Sequence, residues 1–286
     1  MTCLPTPSWL PLRGGSFVAA DARQDDRSAG AELARLYDLD LAGQDEDIDL
    51  YLALGGRRSQ TILELACGSG RICIPLARSG HQVVGVDADP GMLDRARRAW
   101  TSTGDAESPA GGTLELVEAD ITSLDLDRRF DLVVLGFNTL PLLAGRDNQS
   151  AALRVAAQHL APAEGRAVID VALPTPTDLA AYDGSLELAW QRHDDETGDD
   201  VAKLWSAEYD SIEAVATVTT FFDSWPAGGG ALRRIARTDR LHLLSVNELL
   251  ALVEAAGLHT VEVAGDYAMT PLGSGSERVV LVCALL

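Results

Sequence analysis

Apolar positions along the chain follow two different periodicities, and the place where one gives way to the other divides the sequence. From Thr61 a short apolar run (TILEL) leads through a Gly-containing turn into a helix passing Leu76 and Ala77, and then into a second run, QVVGVD. That order is a parallel βαβ unit. Asp89 suits a helix cap and Pro90 the first helical position, where a missing N–H costs nothing, so a helix is predicted over Pro90 to Trp100 with Met92, Leu93 and Ala96 on the sheet. After a Gly-, Ser- and Pro-containing loop from Thr101 to Gly112, a third strand (TLELVEAD) is followed by a fourth over Phe130 to Leu135. Asp147 then opens a helix reaching Leu160, ahead of a fifth strand over Ala167 to Leu173.

Beyond that strand the alternation stops. LELAWQRHDD, DVAKLWSAEYD, AVATVTTFFDSW and ALRRIARTDRLHLL are successive strand-like runs parted by short polar or Gly-rich turns, which predicts an antiparallel meander. Ser245 and Glu248 form a capping box ahead of Leu249, Leu250, Leu252 and Val253, and Gly257 ends that helix. TVEVAG and ERVVLVCALL are the last strands, which makes seven in the main sheet. At the other end, the first thirty residues mix Pro, Gly, Ser and Asp without sustained periodicity and read as an arm, mobile or draped over the domain. Residues 31 to 55 read as helical with a break near Gly43. The division that follows is 1–60 as arm and helical cap, 61–173 with 241–286 as the sheet domain, and 174–240 as an antiparallel insertion.

Composition narrows the partners. The 286 residues carry 23 Lys and Arg against 43 Asp and Glu, a net charge of −20, so the surface repels phosphate backbones and anionic headgroups. Nucleic acid and membrane are therefore not expected as partners. The longest apolar runs fall well short of the roughly 20 residues that span a bilayer, and prolines interrupt the N-terminus where a signal peptide needs a continuous apolar stretch. The expectation is a soluble, cytoplasmic protein. Cys3, Cys67, Cys73 and Cys283 form no Cys-x-x-Cys pair, and His81, His159, His193, His242 and His259 form no His-Glu-x-x-His pair, so reduced thiols and no metal are expected.

The candidate chemistry begins at ELACGSGR, Glu64 to Arg71, which follows a strand and opens a helix, where small residues let backbone N–H groups approach a ligand. A dinucleotide fingerprint would close with a third small residue where Cys73 stands, and it does not. Asp87 ends the second strand, where a carboxylate can bind ribose hydroxyls. Asp120 ends the third, and a turn begins at Gly136 after the fourth.

With these residues in place, Thr61 to Leu135 resembles the class I S-adenosylmethionine-dependent methyltransferases: ILELACGSGR, VVGVDAD, LVEADI and FDLVVLGFNTL stand in that family's order and spacing. The resemblance implies an α/β, Rossmann-like sheet, mostly parallel with helices on both faces, with S-adenosylmethionine as cofactor and no metal. It implies that Gly68 and Gly70 approach the methionine moiety with Ala66 as a backbone neighbour, that Glu64 orients the loop, and that Asp87, with Ala88 beside it, binds the ribose. Met92 would pack on the adenine, Asp120 and Ile121 would hold its edge, and Gly136 would border the site. Ala66 departs from the glycine common at its position. YDLD, PLARSGH, FNTL, His159-Leu160-x-Pro162, DVALPTP and Gly265 to Tyr267 further resemble bacterial methyltransferases of small molecules in secondary metabolism. Their acceptors include amines, phenols and electron-rich ring carbons such as those of indoles. The alternatives are a cyclase that binds the cofactor without transferring its methyl group, and a nicotinamide-dependent oxidoreductase.

Catalytic candidates outside the cofactor half each carry a plainer reading. Tyr37 stands in the N-terminal helix that closes over the cofactor in the resembling enzymes, and is otherwise a packing tyrosine. Asn138, just past the fourth strand, contacts the acceptor or is a turn residue. His242 and His193 are placed where a base could face a pocket, or are structural or solvent-exposed; His159 suits a helix end. The aromatics Trp190, Trp205, Trp225, Tyr209, Phe221 and Phe222 floor an acceptor pocket or form core between meander and domain. The insertion accordingly lies on the acceptor side, or forms a contact in a homodimer. Arg233, Arg234, Arg237 and Arg240 recognise an anionic group, or form a solvated face paired with the acidic run from Asp194 to Asp200. Asp170 is a buried active-site carboxylate or a helix or loop cap.

Overall fold

The structure, a computed structural model, describes residues 24–102 and 111–286, with side chains from Gly30 onward. The N-terminal arm therefore lies largely outside the described residues, as does most of the Thr101 to Gly112 loop. Helix α1 (Gln24–Leu41) starts seven residues before the periodicity suggested, and α2 (Ile48–Gly55) follows the break at Gly43, whose φ is +80°.

The sheet domain runs β1 (Thr61–Leu65), α3 (Cys73–Arg78), β2 (Gln82–Asp87), α4 (Pro90–Thr101), β3 (Thr113–Glu118) and β4 (Leu132–Leu135), then α5 (Thr139–Leu142), α6 (Gly145–Gln158) and β5 (Arg166–Ala172). After an insertion it closes with α8 (Val246–Ala255), β10 (Leu258–Ala264) and β11 (Arg278–Leu285). Strand order is β10-β11-β5-β4-β1-β2-β3, with β11 antiparallel to both neighbours and the five strands from β5 to β3 parallel. The chain leaves β1 toward β2 and β3 and returns on the other side to β4, so the direction of winding reverses between β1 and β4. A crevice opens at such a switch point, at the carboxyl ends of the strands.

Both faces of the sheet are covered, as strand sequences apolar at nearly every position require. Leu63, Leu65, Val133 and Leu135 pack with Leu153 of α6 and Leu249 of α8 on one face. Ile62, Leu132 and Val134 pack with Tyr51 of α2 and Leu76 of α3 on the other. Asp89 caps α4 by accepting from the N–H of Gly91 at 2.7 Å, with Pro90 in the first turn. Helix α6 starts from Ala144 with no side-chain cap, and Asp147 falls in its first turn instead of opening it.

The insertion consists of α7 (Pro176–Ala181) and a separate antiparallel sheet, β6 (Glu187–Asp194), β7 (Asp199–Asp210), β8 (Val215–Pro226) and β9 (Arg233–His242), in sequential order. The meander was legible; α5 and α7, of four and six residues, were not. Helix α7 is announced by a capping box in which Thr175 and Asp178 bond reciprocally. The sheet joins the domain through a core containing Trp205, Tyr182 and Ala172, and joins α1 through Phe222, Val201, Leu36 and Tyr37.

The same reciprocal bonding at Ser245 and Glu248 starts α8, the helix that covers the β10–β11 end of the sheet. Ser245→Ala removes the acceptor for the Glu248 N–H and is expected to lower stability by about 1 kcal/mol. Thermal unfolding would show it as a fall of about 2 °C.

Candidate active site

Several segments meet at the carboxyl ends of the parallel strands. The first is the turn after β1. Ala66, Gly68 and Gly70 all lie at positive φ (+61°, +56° and +91°), a conformation that folds the turn tightly. Gly68 donates its N–H to Asp87 Oδ2 at 2.8 Å, and Asp87 Oδ1 accepts from the N–H of Asp89 at 2.9 Å. Asp87 is therefore buried at the tip of β2 as an acceptor with both oxygens already oriented, while a carboxylate retains lone pairs for further donors. A side chain on Gly68 would meet Tyr37 at 3.9 Å, which places the Tyr37 ring directly over the loop. Met92, at the start of α4, is buried in the same apolar group as Tyr37 and Phe137.

Along the same edge Ala88 is half-buried after β2 and Ile121 is buried after β3. Asp120 uses Oδ1 to hold the N–H and hydroxyl of Thr122, at 2.8 and 2.7 Å. Glu64 is buried at the end of β1. A loop of small residues in left-handed conformation, with a carboxylate acceptor at the tip of the next strand, suits an adenosyl ligand with a charged amino-acid end. The residues present fit S-adenosylmethionine.

The second half of the site centres on Asp170 of β5, which has no solvent exposure. Its Oδ1 accepts from Tyr51 Oη at 3.0 Å and from the Phe137 N–H; its Oδ2 accepts from Tyr267 Oη at 2.7 Å and from Arg278. Burial, then the neighbouring Asp170 charge, push both tyrosine hydroxyls well above their ordinary range, so neither serves as a base. Burial works against the charge on Arg278, but Asp170 together with Tyr267, Tyr51 and Asp47 outweighs it and raises the guanidinium. Gly136 is glycine for a packing reason: a Cβ there would lie 2.3 Å from Tyr51 Oη and 3.3 Å from Asp170 Oδ1.

Beside this group lies a cavity of about 720 Å³, walled by the α1–α2 turn (Gln44, Glu46, Asp47), Phe137, and the β10–β11 segment including Asp266, Tyr267, Glu277 and Arg278. Arg71, the residue after Gly70, pairs in bidentate fashion with Asp47 at 2.6 and 2.5 Å and stacks 4.0 Å over the Phe137 ring. The guanidinium thus ties the glycine loop to the cavity wall. Asp47 raises it further despite burial, which acts the other way.

Of the catalytic candidates, Tyr37 is buried beside Gly68 and does not line the cavity. Asn138 is buried at φ +59°, and its Oδ1 accepts from the Ala172 N–H at 3.0 Å, joining the turn after β4 to the end of β5. His242 ends β9, where burial first, then Arg240 and Arg146, lower its pKa; it does not line the cavity. His193 bonds to Asp200 within the β6–β7 hairpin, and His159 accepts from the Leu126 N–H at the end of α6. The aromatics divide. Trp205 meets Tyr182 edge-on in the core toward the domain, whereas Trp190 and Phe222 pack together on α1, where the Trp190 Nε1 donates to Asp40 at 2.7 Å.

The arginines of β9 do not pair with the acidic run. Arg233 meets Glu32, Arg234 meets Asp223 and Arg237 meets Asp239, because the antiparallel register places β9 against β8 while the β6–β7 turn reaches Arg35 and Arg95 instead. Cys67, Cys73 and Cys283 are buried free thiols, the last pushed by burial to about 11; Cys3 lies outside the described residues. Among the described residues no group of three His, Cys, Asp or Glu converges to hold a metal, and no helix is long and apolar enough to cross a membrane.

Comparison with known proteins agrees with this geometry. Residues 62–163 match the methyltransferase domain family. The cypemycin N-terminal methyltransferase of a Streptomyces species is 28% identical over 82% of this chain and 86% of its own. The CcbJ methyltransferase of Streptomyces caelestis superposes with a TM-score of 0.69 at 26% identity, covering 85% of this chain and 96% of that one. The chain is a class I S-adenosylmethionine-dependent methyltransferase. A third relative, the dTDP-3-amino-3,6-dideoxy-α-D-glucopyranose N,N-dimethyltransferase of Streptomyces fradiae, is 34% identical over 49% of this chain and 52% of its own. Cys73, where a dinucleotide fingerprint would place its third glycine, is the first residue of α3 and is fully buried.

Ala66 bears a conformational cost of roughly 1–2 kcal/mol for its left-handed backbone. Ala66→Gly removes that cost and adds about 0.5–1 kcal/mol of chain entropy in the unfolded state. Denaturant unfolding is expected to show unchanged or slightly raised stability, whereas Ala66→Val should lose more than about 1 kcal/mol.

Proposed function

We propose that this methyltransferase transfers a methyl group to the nitrogen of a small amine, an intermediate of bacterial secondary metabolism, held in the cavity beside Asp170. The observation that carries this reading is the charge of the cavity wall. Asp47 is neutralised by Arg71 and Arg278 by Asp170, and among the described residues no cation pairs with the remaining wall carboxylates, Glu46, Asp266 and Glu277. Asp266 stays ionised to lower pH than an ordinary carboxyl because Thr270 donates to it from both hydroxyl and backbone. Such a wall favours a cationic acceptor over an anionic one. Two of the relatives are, by name, methyltransferases of an N-terminus and of an amino sugar, which supports the same class.

When bound, S-adenosylmethionine supplies a methyl group already activated by its sulfonium. The protein's part is then alignment and exclusion of water, which in favourable cases lowers a barrier by roughly 7–11 kcal/mol. In this reading Gly68 and Gly70 approach the methionine end under Tyr37, Asp87 accepts from the ribose hydroxyls beside Ala88, and Met92, Asp120 and Ile121 frame the adenine. Glu64 and Ala66 shape the loop. Gly136 and Asn138 shape the turn between cofactor and acceptor, and His242, which lies away from the cavity, takes no part. An ammonium has to shed its proton before it attacks, so the wall carboxylates hold the cation and the proton passes to water.

Two measurements test this. Asp87→Ala removes charge-assisted bonds of about 1.5–3 kcal/mol each, so calorimetry with S-adenosylhomocysteine should show affinity at least about tenfold weaker. Unaltered affinity would reject the ribose site. Methyl-labelled cofactor incubated with amino sugars, peptide N-termini, phenols and indoles, and read by mass spectrometry, should place label on nitrogen. Label found only on oxygen or carbon would overturn the amine.

A further inference from the structure

Asp170 does more than a packing residue needs to do. It is 0% exposed, and its four donors come from four separate segments: Tyr51 from α2, Phe137 from the turn after β4, Tyr267 from the segment between β10 and β11, and Arg278 from the start of β11. Burying an unpaired carboxylate is prohibitive, so the charge forces those donors to converge and holds them in one arrangement. Three of the four, Phe137, Tyr267 and Arg278, line the cavity, and the Arg278 guanidinium also stacks 4.3 Å from the Tyr267 ring centre. Through Phe137 the set continues to Arg71 and so to the residue following Gly70.

We propose that Asp170 is a positioning residue for methyl transfer, fixing both walls of the acceptor cavity, at Phe137 and at Tyr267 with Arg278, relative to the glycine loop. It rests on the reading that the cavity receives the acceptor, and it does not depend on that acceptor being an amine. Among the described residues the hydrogen bonds to Asp170 come from Tyr51, Phe137, Tyr267 and Arg278, and none from the ends of β1, β2 or β3. Its effect therefore falls on the acceptor side. Asparagine at this position keeps one acceptor oxygen and turns an N–H₂ group toward donors, so it cannot satisfy four partners and leaves the Arg278 charge uncompensated.

The test uses the full chain saturated with S-adenosylhomocysteine and reads hydrogen exchange segment by segment. In Asp170→Asn, exchange over 136–138 and 265–278 is expected to rise at least about tenfold while 66–70 and 85–89 stay as in the native protein, with S-adenosylhomocysteine affinity changed by less than about threefold. Unaltered exchange at 136–138 and 265–278 would overturn the proposal, as would an equal rise in the glycine loop, because loss of general stability opens both sides together. Should Asp170→Asn fail to fold, Tyr267→Phe deletes one donor only. Faster exchange confined to 265–278 then supports the proposal, and unchanged exchange there overturns it. With any acceptor that the native enzyme methylates, Tyr267→Phe should raise the acceptor KM and leave the S-adenosylmethionine KM unchanged; a failed amine screen would remove the acceptor class and leave the exchange result standing.

Discussion

A carboxylate shut away from water persists only where donors surround it, and around Asp170 those donors are drawn from places 33 to 119 residues distant along the chain. Parallel strands make this possible. Their carboxyl ends lie side by side, so each following loop begins within reach of its neighbour's last residue. The charge then selects one arrangement of the loops, because any arrangement that withdraws a donor leaves part of the carboxylate unsatisfied. Gly136 shows how tight the selection is: the space a methyl group would need is filled by the Tyr51 hydroxyl.

The two halves of the crevice solve the same problem differently. On the cofactor side, Asp87 and Asp120 are held by backbone N–H groups a few residues away or in the adjoining turn, so each tip is preorganised by its own surroundings. Around Asp170 the donors come from distant segments. Arg71 crosses between the halves, gripping Asp47 with both arms while lying on Phe137. The cavity wall thus meets the glycine turn at the Arg71 side chain, two residues ahead of α3.

This contrast also explains what could be read from the sequence. The glycine turn, Asp87, Asp120 and the α4 cap are short-range patterns, and spacing alone located them. The meander was visible because alternation over ten or more residues leaves few other structures. Asp170 stood between two readings because its partners are scattered, and no spacing rule links Tyr51, Phe137, Tyr267 and Arg278. Short elements escaped for a related reason: four residues of α5 complete little more than one turn and cannot display a period. The arginines of β9 were assigned to the wrong acids because register decides which side chains meet, and register is invisible until the strands are paired.

The remaining question is how the insertion is tied to the rest of the chain. Helix α1 is the link. Its Asp40 is buried against Lys203 at 2.6 Å and Trp190 at 2.7 Å, and Arg192 donates to the Asp40 carbonyl at 3.1 Å, so the end of the helix is fastened to β6 and β7. Arg35 meets Asp194 one helical turn earlier. Ion pairs taken out of water contribute little net stability, yet breaking one strands a buried charge, so they define position more than they add energy. What they position is the face carrying Tyr37, which lies over Gly68. The helix over the glycine turn is thus fastened on two sides, to the insertion through Asp40 and Arg35 and to α4 through Asp38, which pairs with Arg95, and the parts that the chain separates by more than a hundred residues meet there.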